Sequence, residues 1–465
     1  MGESLVCKRP RRGSARGRSV TTGVALSLGM AATAIMTAPQ AASAHLHSPR
    51  ASHAVSPSGT IAYSWWGSPG RTALTEKVIS LFEKFYPKVS VTAEPTGNYA
   101  NYWQQLTVEG AAHNIPCVPT TQTTYLADYD RNGDLLPLNT LIKEGKINIS
   151  GIPTSIIKGG TYNGKIYMIG YGAASNAIVY NVAMAKKYDI PLLKQAMTNV
   201  TWQDFQNWLL SAQKKLPSGI KAIDASSEWS QQFTFAWVTG QGEKPYKKHG
   251  KGYELGFSKQ TLINYWKWWQ KLIDAGATTS PAVAAEEPTT SGDDYLAQGQ
   301  VLSADDTSNL LADQTTLDGN HKGLVQDVNF PTGPSGANGQ AFDVSGLSIA
   351  SNCQDIPAAA AFVNFWINNP HAADIYDSNN GAVTVTSLLN RQLRSTKNLP
   401  AVKRSLRYFK LMFAQNDPVA FNAPGYGAVV SDLESITQAV QFKKESMQAA
   451  ANQFFSEADQ VLQQG

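Results

Sequence analysis

An α/β fold is what this chain predicts from its first strongly patterned stretch. Ile61–Ser64 is a short apolar strand. Leu74, Val78, Leu81, Phe82 and Phe85 then recur at helical spacing until Pro87 stops the helix, and Val89, Val91 and Ala93 alternate as a second strand. A strand, a helix and a strand in that order imply a parallel pair with a right-handed crossover. With 465 residues, 42% of them hydrophobic and 16% charged, the chain has material for two or three domains and a packed core.

The pattern continues through the chain. A helix is expected from about Tyr102 to Ala112, a strand from Val118, and a helix closing at Asn132-Gly133, where glycine suits the position just past a helix end. Tyr162-Asn163-Gly164-Lys165-Ile166-Tyr167 reads as a tight hairpin with Asn-Gly at its turn. Ile178–Tyr180 is the next strand and Trp202–Leu216 the next helix, followed by a mostly helical stretch through Trp266, Trp268 and Trp269. The Gly/Pro-rich run from Pro331 to Gly339 reads as a linker or loop. Helices from about Pro357 to Asn368 and from about Ser431 to Gln464 finish the chain.

The N-terminus is set apart. Lys8, Arg9, Arg11, Arg12, Arg16 and Arg18 precede a largely apolar run, Val20–Ala38, and a small-residue site, Ala42-Ser43-Ala44. That layout predicts a secretory signal peptide, residues 1–44, cleaved near Ala44, with residues 45–58 a flexible leader carrying His45, His47 and His53. Six basic groups against Glu3 give the first 44 residues a charge of +5, so the whole-chain +4 becomes −1 in the mature protein. The basic character belongs to the export signal, and nothing in it points to nucleic acid. Cys7 leaves with that signal, so no cysteine stands at the cleavage site to carry a lipid anchor. Cys117 and Cys353 remain, either to pair once in an oxidising exterior or to stay as two buried thiols.

Several patterns imitate other chemistry. Gly159-x-x-x-x-Gly164-Lys165 has Ile166 where a phosphate loop needs Ser or Thr, and its second glycine belongs to a hairpin. Asp128, Asp130, Asn132 and Gly133 resemble the first half of a calcium loop, but the twelfth position is Asn139, and a solvated helix end is the better reading. Glu286-Glu287, Asp293-Asp294 and Asp305-Asp306 are adjacent acids whose side chains diverge, which suits surface solvation better than a glycosidase carboxylate pair. There is no nucleophile elbow and no zinc spacing, so neither cofactor nor metal is expected.

Aromatics placed after strands are what remain: Trp65, Trp66, Tyr99, Tyr102, Trp103, Tyr125 and Trp229. In open α/β sheets ligands bind beyond the strand ends, and a sugar stacks its C–H face on such rings. Here the segment order resembles the extracellular solute-binding proteins of sugar ABC importers, the family that includes maltodextrin-binding protein. The resemblance spans nearly all of the mature chain. It runs through WWG with the helix ending FEKFYPKVSV, NYANYWQQL, the stretch from Pro116 to Leu138 ending GDLLPL, YNGKIYMIGYG followed by AIVYNVAMAKKYDI, TWQDF, YLAQGQVLSADD, and SGLSIAS followed by AAAFVNFW.

That resemblance implies a periplasmic-binding-protein-like fold of two α/β lobes with a central cleft. Lobe 1 would comprise 59–169 and 345–377, and lobe 2 would comprise 177–343 and 378–465, with hinge crossovers at 170–176 and 344. It also implies a non-enzymatic, secreted monomer that captures a mono- or oligosaccharide and delivers it to a membrane permease. Carried over position by position, the ligand-binding residues would be Trp65, Trp66, Asn98, Tyr99, Gln122, Thr124, Tyr125, Asn176, Trp229, Asp306, Ser345 and Gly346. Aromatics would stack, while Asn98, Gln122, Asn176, Asp306 and the Ser345 backbone would hydrogen-bond hydroxyls. Because neighbouring strand residues face opposite ways, Trp66 is expected to be the stacking platform and Trp65 its support. The chain departs from many relatives at Cys117, where they carry Asp, and in lacking the lipid-anchor cysteine. A secreted carbohydrate-active enzyme, or the same fold acting as a sensor or a binder of another solute, are the alternatives.

Overall fold

In the computed structural model, which describes residues 56–287, 294–308, 325–395, 400–415 and 417–464, strand β1 spans Gly59–Trp66. It pairs in parallel with β2, Val89–Thr96, with Gly59 opposite Val89 and Trp66 opposite Thr96. The helix between them, Pro69–Phe85, starts where Ser68 accepts the Arg71 N–H and proline occupies the first turn. The next helix, Tyr99–Ala111, begins three residues earlier than its periodicity predicts, because the Asn98 side chain caps it by accepting the Asn101 N–H at 3.0 Å. The signal peptide, His45, His47, His53 and Asp293 lie outside the described residues.

Strand β3, Val118–Gln122, pairs in parallel on the other side of β1. The Asn-Gly hairpin is present as β4, Thr161–Tyr162, and β5, Lys165–Ile166. Asn163 and Gly164 both take positive φ, 46° and 79°, as a type I′ turn requires. The chain continues through β6, Ile169–Ala174, and β7, Asn176–Asn181, then the hairpin β8, Tyr246–His249, and β9, Gly252–Leu255. The remaining strands are β10, Ser303–Thr307, β11, Val325–Val328, β12, Asp343–Leu347, and β13, Ala382–Val383. They assemble into a six-stranded mixed sheet of order β13-β6-β12-β3-β1-β2 and a three-stranded antiparallel sheet of order β10-β7-β11.

Two large hydrophobic cores pack on these two sheets, and a third, smaller cluster of Val179, Tyr295, Leu296, Val301, Ala304 and Val325 lies at the second. The first gathers residues of Ile61–Ala177 and Phe342–Met412. The second gathers residues of Ile178–Phe330 and Ala423–Leu462, with Trp202, Phe205, Phe233, Trp266 and Trp269 packed among the helices Trp202–Gln213, Gln231–Gly240 and Lys259–Asp274. Cys117 and Cys353 are joined as a disulfide with Cα atoms 4.6 Å apart, tying the entry of β3 to the loop beyond β12.

Two expected boundaries are corrected. Residues 378–465 do not all join the second core: β13 pairs with β6, and Leu388, Leu389, Leu406, Phe409 and Met412 pack into the first core, so the return to the second begins only near Ala423. The expected hinge 170–176 takes in most of β6 and the first residue of β7. Gly170 and Gly172 lie inside β6, where an added Cβ would strike Val344 at 2.5 Å and the Asn380 carbonyl oxygen at 2.0 Å, so close packing requires them. The crossover narrows to Ser175, buried between β6 and β7, whose hydroxyl donates to the Ala341 carbonyl at 2.7 Å. A second crossover, through Phe342, runs beside a third, because the Phe342 N–H donates to the Pro418 carbonyl and the Ala420 N–H to the Phe342 carbonyl, both at 2.8 Å.

Candidate ligand-binding site

Where these crossovers pass between the two cores they enclose a cavity of about 460 Å³, within the range of small-molecule sites. The first half supplies Thr124, just past the end of β3, and Asp343, which opens β12. The second half supplies Gln231, Gln232 and Phe235 from the helix Gln231–Gly240, with Tyr246 from β8. The strap Pro418–Asn422 and Tyr426, the first residue of the helix Tyr426–Gln441, complete the wall. A comparable cavity of about 470 Å³ lies on the other side of the strap, lined by Lys158, Tyr162 and Thr123 among others. The first is the better candidate, because both cores contribute side chains to it and six aromatic residues, Phe235, Tyr246, Phe330, Phe342, Phe421 and Tyr426, line it.

Its polar groups are held in place. The Thr124 hydroxyl donates to the Asp343 carboxylate, 3.3 and 3.4 Å from its two oxygens. Burial pushes the Asp343 carboxyl up to about 6, against the opposing pull of that hydrogen bond. The Asn176 amide donates to Asp305 at 3.3 Å. Gln340 donates to the Ser175 hydroxyl at 2.6 Å and to the Asn176 carbonyl, and accepts the Phe330 N–H at 3.0 Å, so one amide clamps two crossovers. Phe421 is 50% exposed, with ring centres 6.4 Å from Tyr246 and 5.4 Å from Tyr253.

The sequence-derived residues divide around this cavity. Thr124 and Asn176 line it. Tyr125 lies at its edge, 6.5 Å ring to ring from Tyr426, and Tyr99 donates its hydroxyl to Gln122 at 2.6 Å beside it, 39% exposed. Trp66 does not offer an open face: it is 7% exposed, with Tyr99 and Tyr102 rings 5.3 Å away and Trp103 at 5.7 Å. Trp65, 2% exposed, packs on Tyr63 on the other side of the sheet. The Asn98 side chain caps its helix.

Trp229 donates its indole N–H to Gln441 at 2.8 Å, and the amide of Gln441 donates in turn to Glu228, which burial pushes up to about 8. Asp306 accepts the Thr307 N–H at 2.6 Å within β10 and is pushed up to about 8 by burial and by its neighbours Asp294 and Asp305. Ser345 and Gly346 are not a turn: they lie inside β12, opposite Gln122 and Thr121, with a strand irregularity between them. The residues missed, Gln231, Phe235, Gln340, Asp343, Phe421 and Tyr426, come from a helix start and the crossovers, where composition alone gives no signal.

Asp128 and Asp130 sit on the helix Leu126–Arg131, with Gly133 at positive φ beyond its end, and among the described residues no three His, Cys, Asp or Glu side chains gather as metal ligands. The solvated-surface reading of the acid pairs is corrected at three positions: Glu287 accepts the Ser226 hydroxyl and the Tyr295 N–H, Asp305 and Asp306 are neighbours on β10, and burial raises all three carboxyls. What the arrangement provides is stacking surface, amides and a carboxylate, which together suit binding of a polyhydroxylated molecule.

Residues 77–401 match the family described as bacterial extracellular solute-binding protein. The chain is similar in structure to an extracellular solute-binding protein family 1 member from Alicyclobacillus acidocaldarius, at 26% identity over 88% of this chain and 99% of that one, with a TM-score of 0.69. It is also similar to an ABC substrate-binding protein of Listeria monocytogenes in complex with cycloalternan, at 17% identity over 87% and 99% with a TM-score of 0.71. A periplasmic oligogalacturonide-binding protein of Yersinia enterocolitica, in complex with saturated digalacturonic acid, matches at 17% identity over 87% and 99% with a TM-score of 0.70. With its two cores, crossovers and intervening cavity, this chain belongs to the bacterial extracellular solute-binding protein family and has its two-lobed periplasmic-binding-protein fold.

Proposed function

We propose that this protein captures a sugar or oligosaccharide between its lobes and delivers it to the permease of an ABC importer. The observation that carries this is the cavity of about 460 Å³ between the two cores, where aromatic rings stand beside the amides of Asn176, Gln231 and Gln340 and the Asp343 carboxylate. Sugars need both kinds of surface at once, a flat apolar face and directional hydroxyl partners. The cycloalternan complex of a similar structure supports the same ligand class.

The protein acts as a secreted monomer without covalent chemistry, its signal peptide removed near Ala44. Contacts to both lobes favour the closed state in proportion to the ligand's differential affinity for it. The test is a thermal-shift and calorimetric panel of mono- and oligosaccharides, expected to give saturable binding to at least one member. A flat response across the panel would end the proposal. Ligand-dependent uptake by cells carrying the partner permease separates delivery from a sensor role.

A further inference from the structure

We infer that the cavity selects uncharged carbohydrates and rejects uronic acids; this rests on the proposed sugar-binding function and specifies its ligand class. The charges lining the cavity carry the argument. Asp343 contributes its carboxylate from the crossover side, and the second half adds one further acid, Glu243, and one cation, Lys244. Among the described residues lining the cavity, Lys244 is the single cation, and it is exposed to solvent. No guanidinium is present to make the planar, two-pronged contact that recognises a carboxylate.

The remaining polar lining is neutral and includes Thr124, Asn176, Gln231, Gln232, Gln340 and Asn422. A carboxylate has about four acceptor positions. Asp343 accepts the Thr124 hydroxyl, which leaves capacity for sugar hydroxyls. The groups that face it from neighbouring elements, Tyr99, Tyr125 and Tyr426, are phenols pushed up by burial, so they stay neutral and offer no compensating positive charge. A uronate in this cavity would meet the Asp343 carboxylate without a counter-charge, whereas a neutral hexose brings hydroxyl donors.

Calorimetry on the mature protein at pH 7.5 tests this with glucose and galactose oligosaccharides against glucuronate and galacturonate oligomers of equal length. The uronate of each matched pair is expected to bind about 100-fold more weakly than its neutral partner, the size of a like-charge penalty at about 5 Å in a partly screened site. Asp343→Asn is expected to narrow that gap to about tenfold or less, with a thermal melt confirming that the variant folds. Should the variant fail to fold, wild-type titrations at pH 5 supply the same arm, because Asp343 gains its proton while the sugar carboxylate keeps its charge. Uronates binding as tightly as neutral partners at pH 7.5, or a gap that moves with neither the variant nor the pH, would overturn the inference. Failure of every sugar of both classes to bind would instead sink the sugar-binding function itself, and this inference with it.

Discussion

Phe421 stands half exposed on the strap, with one side on Tyr253 and Tyr246 and the other on the cavity. Replacing it by Ala is expected to weaken sugar binding by about tenfold, the loss of one stacking surface. Stability should change by about 1 kcal/mol, since half of the residue is already exposed. Calorimetry beside a urea melt separates the two effects, and a large stability loss with unchanged affinity would remove Phe421 from the site. The Trp65-Trp66 pair should behave in the opposite way. Both rings are closed in by neighbours, so either Ala replacement is expected to cost roughly 3–5 kcal/mol in a urea melt. Strand alternation placed the two rings on opposite faces in advance, because Cβ direction depends only on local geometry. It could not reveal that Tyr99, Tyr102 and Trp103 close over Trp66, which depends on where a helix thirty residues later packs. Asn98 shows a second limit: the same side chain suits a sugar hydroxyl or a helix N-terminus, and here the helix takes it.

Among the elements, those with strong local signals were legible from periodicity and turn chemistry. The helices Pro69–Phe85 and Lys259–Asp274, the Asn-Gly hairpin and the parallel β1–β2 pair all follow patterns that short windows contain. Illegible were the pieces defined only by distant partners. Strand β13 is two residues long and exists because β6, more than 200 residues earlier, offers it an edge. Gly170 and Gly172 looked like hinge glycines, but glycine serves close packing as readily as flexibility, and only the neighbours decide. The Cys117–Cys353 disulfide joins positions 236 residues apart, which sequence spacing leaves undecided. Its removal by the double Ser variant is expected to cost about 2–5 kcal/mol. A thermal melt with and without reductant checks this: wild type should fall towards the variant on reduction, and an unmoved transition would mean that the bond does not support the fold.

At the scale of the whole molecule, two cores meet at the crossovers, and the second half carries three acids whose carboxyls burial raises: Glu228, at the end of the turn Ala225–Glu228, and Asp305 and Asp306 on β10. Burial pushes Glu228 and Asp306 up to about 8 and Asp305 up to about 7. The folded chain therefore binds more protons than the unfolded one between the ordinary carboxylate value of about 4 and those raised values. Their stabilising contribution is complete below that ordinary value and is lost as pH rises through about 7 to 8, so the melting temperature should be higher at pH 6 than at pH 8.5. Glu228→Gln should flatten that slope, and a melting temperature that rises with pH would contradict the assignment. The same crossovers bring Asp343, Asn176 and Gln340 together beside Tyr426, residues separated widely along the chain. The most direct test of the account is a crystal structure of the protein grown with a sugar identified by calorimetry. The account predicts sugar density in contact with Asp343, Asn176 and Tyr426, with the two lobes closed over it; density confined to the neighbouring cavity beside Lys158 and Tyr162 would contradict it.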